Sequence, residues 1–152
     1  MMKENVEILI AEDSPTQREQ LRFLLEEQGF AVRAAGDGRE ALAEIEARRP
    51  ALVISDIIMP ELDGYGLCRA IKEDERLRAI PVILLTAHRA TAELKAEGLD
   101  AGAEDFIVKP VDNVELVARI KVVLRIKQAE DDLRRANASL EQLVTERTGN
   151  LQ

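Results

Sequence analysis

A chain of 152 residues with 46% hydrophobic side chains can bury one sizeable core, which excludes an intrinsically disordered protein. A net charge of −8 excludes general affinity for nucleic acid or an anionic membrane, because phosphate binding rests on clustered Lys and Arg. One Cys and one His, His88, exclude an internal disulfide, a Cys-rich zinc site and any centre needing two imidazoles, leaving carboxylates as the reactive groups. The opening MMKENVEILI is too short and too acidic for a secretory signal, and no apolar run approaches about 20 residues. A cytoplasmic location is expected, with no membrane and no direct nucleic-acid contact.

In chain order, short apolar runs alternate with longer amphipathic ones, the pattern of strand-helix-strand units around a parallel sheet. Strands are predicted at Val6–Ala11, Ala31–Ala35, Leu52–Ser55, Val82–Thr86 and Phe106–Val108. After the first, Ser14-Pro15-Thr16-Gln17 starts a helix with Ser as cap, Pro at the first helical position and Gln three residues past the cap. Leu21, Leu24 and Leu25 follow at helical spacing, and Gly29 stops it. A second helix near Arg39–Arg48 carries Ala41, Leu42 and Ile45, and Pro50 ends it; a third near Tyr65–Asp74 carries Leu67, Ala70 and Ile71. The fourth, near Thr91–Leu99, holds Gly98 and few large apolar residues, so it is expected to move most easily.

The fifth helix opens at Asp112-Asn113-Val114-Glu115, and nothing stops it before Gly149. Ile126, Leu133 and Leu140 recur every seven residues, with Ala129, Ala136 and Leu143 three residues after each. This is a coiled-coil seam; Glu130 and Asn137 occupy it in the other register, and a frayed solvated helix is the plainer alternative. The charge divides accordingly, with −7 on residues 1–125 and −1 on 126–152. The expected organisation is a domain over 1–125 and a coiled-coil extension over 126–152.

In open α/β sheets, ligands sit beyond the C-terminal ends of the strands. There the sequence sets Glu12, Asp13, Asp56, Thr86 and Lys109. Three carboxylates packed together repel one another unless a cation sits among them, and oxygen ligands without His or Cys suit Mg²⁺. A carboxylate beside such an ion can attack phosphorus, with Lys109 and Thr86 contacting the phosphoryl oxygens. Taken singly, each residue is an ordinary surface or strand-end side chain.

Glu12-Asp13, the segment Asp56-Ile57-Ile58-Met59-Pro60-Glu61-Leu62-Asp63-Gly64, Thr86-Ala87 and Lys109-Pro110 resemble the receiver domain of two-component response regulators, over about residues 5–126. The resemblance implies a flavodoxin-like (CheY-like) doubly wound sheet in the order 2-1-3-4-5. It implies Asp56 as phosphoacceptor from a sensor histidine kinase or phosphotransfer protein, and Mg²⁺ held by Glu12, Asp13, Asp56 and the Ile58 carbonyl. It further implies Thr86 and Lys109 as phosphoryl contacts, Thr86 and Phe106 as switch residues, and a cis bond before Pro110. Glu12 departs from the more usual Asp, and Phe106 lacks a switch tyrosine's hydroxyl. Gly64 is expected to provide a turn ending the catalytic loop. Apolar Ile58 cannot orient an attacking water, which predicts slow self-dephosphorylation; His88 is read as a solvated loop residue.

One branch of that family dimerises through the fourth helix, fifth strand and fifth helix. The matching pairs here are Lys95 with Glu115, Asp105 with Arg119, and Asp100 with Lys121, all of complementary charge. Leu140-Glu141-Gln142-Leu143-Val144-Thr145-Glu146-Arg147-Thr148 resembles helices that lead into kinase or cyclase modules. The expectation is a homodimer whose phosphorylation state is passed through the coil, either to an effector outside this sequence or with the coil itself as output. The competing readings are an aspartate-nucleophile phosphatase, which needs an acid where Ile58 stands, and a pseudo-receiver that only binds partners.

Overall fold

The computed structural model describes residues 6–86 and 92–150, with side chains described to 145. Five strands, β1 (Glu7–Ala11), β2 (Ala31–Ala35), β3 (Leu52–Asp56), β4 (Val82–Thr86) and β5 (Asp105–Val108), form one parallel sheet in the order β2-β1-β3-β4-β5. The helices are α1 (Pro15–Glu27), α2 (Gly38–Ala47), α3 (Gly64–Glu73), α4 (Ala92–Asp100) and α5 (Asn113–Asn150). The doubly wound flavodoxin-like fold expected from the sequence is present, with element ends within about two residues of the predicted ones.

Alternation along the strands divides the core into two layers. Leu9, Val53, Val82 and Leu84 face α2 and α3, with Ala41, Ile45, Leu67 and Ile71 opposite. Ile8, Ile10, Leu52, Ile54, Ile83 and Leu85 face α1 and α5, against Leu25, Leu116 and Ile120. Burial on both faces explains why the strands read as continuous apolar runs, and each large aliphatic contributes about 1.5–3 kcal/mol.

Helix α1 begins as the sequence dictates: the Gln17 N–H donates to Ser14 Oγ at 3.3 Å, Pro15 stands at the first turn, and Gly29 follows the end at φ +92°. Asp37 and Asp63 cap α2 and α3 in the same way. Helix α5 is continuous through residue 125, so no break marks the predicted boundary. Its core contacts end near Val123 and Leu124, where α5 lines a groove with Val6, Pro50 and Ile80 at the edge where the strands begin. None of the helices in the described residues is long and apolar enough to cross a membrane.

At the start of β1, Glu7 accepts from Arg48 at 2.7 Å and pairs with Arg33 at 3.1 Å. Burial alone would raise its pKa; the Arg48 hydrogen bond and the charges of Arg33 and Arg48 outweigh it and hold the carboxyl below its usual 4.5. A carboxyl with a depressed folded-state pKa stabilises the fold fully above its unfolded value and loses that contribution as pH falls through the folded value. The difference in urea midpoint between wild type and Glu7→Gln is therefore expected at neutral pH and should shrink as pH falls below the ordinary glutamate value of about 4.5 and on through the lower folded-state value. A difference that persists in acid would contradict this reading.

Candidate functional site

Register puts the site together. Ala11 of β1 pairs with Ser55, Asp56 of β3 with Leu85, and Thr86 of β4 with Val108, so the C-terminal ends of these four strands are level. The next residues are Glu12, Asp13 and Lys109. One carboxylate oxygen each from Glu12, Asp13 and Asp56 lies within 4.8 Å of the others.

Glu12 is 4% exposed, while Asp13 is open to solvent and Asp56 half-buried. Burial pushes the Glu12 carboxyl above its ordinary value; the Ser14 N–H and Lys109 pull it down, and negative Asp56 adds to the rise. Its two oxygens are engaged, Oε1 by the Ser14 N–H at 3.0 Å and Oε2 by Lys109 Nζ at 3.4 Å. The Ile57 N–H donates to Asp56 Oδ1 at 2.8 Å. An all-oxygen set with one buried member, two more accessible ones and excess negative charge fits a hard divalent cation.

Lys109 follows β5. Its Nζ reaches Gln17 Oε1 at 2.8 Å as well as Glu12, and its N–H donates to the Thr86 carbonyl at 2.6 Å. The Lys109–Pro110 bond is cis, as the resemblance implied. Thr86 is 4% exposed at the end of β4. Ala87, the helix start at Thr91 and His88 lie outside the described residues. Ile58 projects its side chain into solvent, two residues past Asp56. Phe106 is half-buried over α4: a β-carbon on Gly98 would stand 2.6 Å from its ring, which explains a glycine inside that helix.

Three placements differ from the sequence reading. Gly64 is needed for close approach, because a β-carbon there would stand 2.4 Å from the Asp56 carbonyl oxygen; the positive φ of the loop belongs to Glu61, at 70°. Asp105 and Arg119 meet within one chain, at 3.1 Å, with Glu115 3.9 Å from Arg119. Lys121 is not on that face. Two residues on, it is turned about 200° around the helix and lines a groove with Leu24 and Gln28 of α1. Lys95 and Asp100 are exposed on α4.

Two contributors escaped the sequence reading. Gln17, which the sequence places in the capping turn, accepts from Lys109, and Arg18 donates to the Glu12 carbonyl at 3.1 Å. Both sit in the first turn of α1, directly after the acidic pair, and that proximity was the available signal.

A doubly wound sheet with three clustered carboxylates, a threonine and a lysine on its C-terminal edge defines a receiver-type α/β domain. The chain belongs to the response regulator receiver domain family, which its residues 8–121 match. It is 41% identical over 124 residues to the transcriptional regulatory protein CseB of Streptomyces avermitilis, covering 82% of this chain and 51% of that protein. It is 36% identical over 146 residues to the response regulator Rre1 of Synechocystis, covering 95% of this chain and 63% of that relative. The solved signal receiver domain of a signal transduction histidine kinase from Syntrophus aciditrophicus is 48% identical with a TM-score of 0.74, covering 79% of this chain and 90% of that one. The chain thus spans half to two-thirds of the length of these two regulators.

Proposed function

We propose that residues 1–125 form a phosphoacceptor receiver and residues 126–152 its coiled-coil output, and that Asp56 takes a phosphoryl group from the phosphohistidine of a sensor kinase or phosphotransfer protein. The observation that carries this reading is the clustering of Glu12, Asp13 and Asp56 within 4.8 Å beside Lys109. A carboxylate oxygen of Asp56 forms the new bond to phosphorus, the phosphorus–nitrogen bond breaks, and its electron pair returns to the donor imidazole. Glu12, Asp13, Asp56 and the Ile58 carbonyl would hold Mg²⁺, which supplies charge neutralisation at the phosphoryl oxygens. Lys109 then exchanges Gln17 and Glu12 for a phosphoryl oxygen, and Thr86 donates its hydroxyl to another.

Phosphorylation acts only if it biases a two-state element. Thr86 drawn toward the phosphoryl group leaves space that the Phe106 ring can enter, by ring burial alone, and the α4-β5-α5 face changes with it. That face and the coil make a homodimer the expected assembly, with Lys95, Asp100, Asp105, Glu115 and Arg119 on the receiver part.

The test is treatment of wild type and Asp56→Ala with phosphoramidate, with Mg²⁺ or with chelator, followed by intact-mass measurement. Gain of one phosphoryl group by wild type with Mg²⁺ alone supports the reading; no gain rejects it. The phosphatase alternative needs a second acid where Ile58 stands, so multiple turnover is not expected. For the same reason the aspartyl phosphate is expected to be long-lived, and Ile58→Gln, which can orient a water, to shorten its lifetime. A wild-type lifetime of seconds with Mg²⁺ would contradict this.

A further inference from the structure

The residues that enter the first four strands are apolar: Val6 and Phe30 stand directly before β1 and β2, Ala51 directly before β3, and Ile80 two residues before β4. Parallel register brings them to one level, at the sheet edge opposite the acidic cluster. There they share a groove of about 840 Å³ with Pro50 and with α5 between Ala118 and Asp131, a wall about four helical turns long. Val122, on that wall, is 43% exposed. The volume and the apolar lining are those of a site for one small molecule.

The charged part of the lining runs against the charge of the chain. Acidic residues outnumber basic ones 29 to 21 overall, yet the groove is lined by Arg49, Arg76, Lys121, Arg125 and Lys127 and by one carboxylate, Asp131. Asp74 holds Arg76 at 3.0 Å and Asp131 pairs with Lys127, so these two cations are already neutralised. Among the described residues, neither Arg49, in the connection after α2, nor Arg125, on α5, has a carboxylate partner; Arg49 donates only to the Arg76 carbonyl, at 3.0 Å. Guanidinium groups match a carboxylate in both charge and planar geometry. We propose that this groove binds a monomeric long-chain carboxylate, its acyl chain along Phe30, Pro50, Ile80 and Val122 and its head group between Arg49 and Arg125. A dissolved molecule fits better than an anionic bilayer, because a net charge of −8 repels an extended negative surface. The last core contacts of α5, Val123 and Leu124, lie within the span of the same wall, so an occupant braces the helix where it leaves the receiver. Neither the site nor this bracing depends on phosphoryl transfer to Asp56.

The test is calorimetric titration of the full chain with laurate below its micellar range, with hydrogen exchange to locate the contact. One laurate per chain is expected, with exchange slowed in residues 118–131, and Asp56→Ala should bind it equally. Arg49→Gln with Arg125→Gln, both exposed side chains outside the core, is expected to weaken binding at least about tenfold. Dodecanol, the uncharged analogue, should bind wild type more weakly by a similar factor. Arg39→Gln, which removes a cation paired with Glu61 at the opposite sheet edge, should change nothing. Absence of saturable binding, equal affinity for laurate and dodecanol, or full affinity in the double variant would overturn the proposal. Binding to phosphatidylglycerol vesicles but not to monomeric laurate would also overturn it, in favour of a membrane surface. Laurate binding that appears only after removal of residues 1–5 would assign the groove to the chain's own N-terminus instead, and binding that falls as chain concentration rises would assign it to a second copy.

Discussion

Asp56→Ala is expected to abolish phosphoryl uptake and, in the same protein, to raise stability in metal-free buffer. The loss is expected because Asp56 is the proposed source of the attacking oxygen, and neither buried Glu12 nor Asp13 lies at the end of the central strand β3. The gain follows from repulsion: three carboxylate oxygens lie within 4.8 Å, and Asp56 raises the pKa of a Glu12 already raised by burial. Removing Asp56 costs little in hydrogen bonding, because the Ile57 N–H also donates to the Leu85 carbonyl at 3.1 Å. A gain of roughly 1 kcal/mol in urea unfolding is expected with chelator present, shrinking when Mg²⁺ is added. Equal or lower stability of the variant in chelator would mean that the three carboxylates are not electrostatically opposed.

Gly64→Ala should have the largest effect on the fold among single-methyl changes near the site. The added carbon would stand 2.4 Å from the Asp56 carbonyl oxygen and 2.8 Å from Ile57 Cα, both backbone atoms of the strand end, so no side chain can swing aside. The Gly64 N–H also donates to the Ile57 carbonyl at 2.8 Å, which ties the start of α3 to the loop carrying Ile58. A loss of about 3 kcal/mol is expected from overpacking, together with weaker Mg²⁺ binding because the Ile58 carbonyl shifts. Thermal unfolding and a Mg²⁺ titration measure the two; a variant matching wild type in both would show that the loop yields easily.

The parts of this molecule legible in the sequence are those governed by local rules. Apolar runs marked the five strands, Ser14 and Pro15 marked the start of α1, and Gly29 its end. The rule that ligands gather beyond strand ends selects Glu12, Asp13, Asp56, Thr86 and Lys109 from sequence alone. What was not legible depends on where side chains reach across elements. Gln17 reads as a capping residue because its contact with Lys109 spans most of the chain. Gly64 reads as a turn residue because only the folded loop brings the Asp56 carbonyl against it. Lys121 has the right charge for the dimer face, but helical phase turns it toward α1. Asp105 and Arg119 have complementary charge in sequence, while only the packing of β5 against α5 joins them within one chain.

Phosphoryl transfer to Asp56 is tested most directly by peptide mapping of the full chain after phosphoramidate treatment, with borohydride reduction to mark acyl phosphate. Modification at Asp56 alone is expected, dependent on Mg²⁺ and lost with Lys109→Ala or with Glu12→Gln combined with Asp13→Asn. No modification, or modification elsewhere with Asp56 untouched, would contradict it.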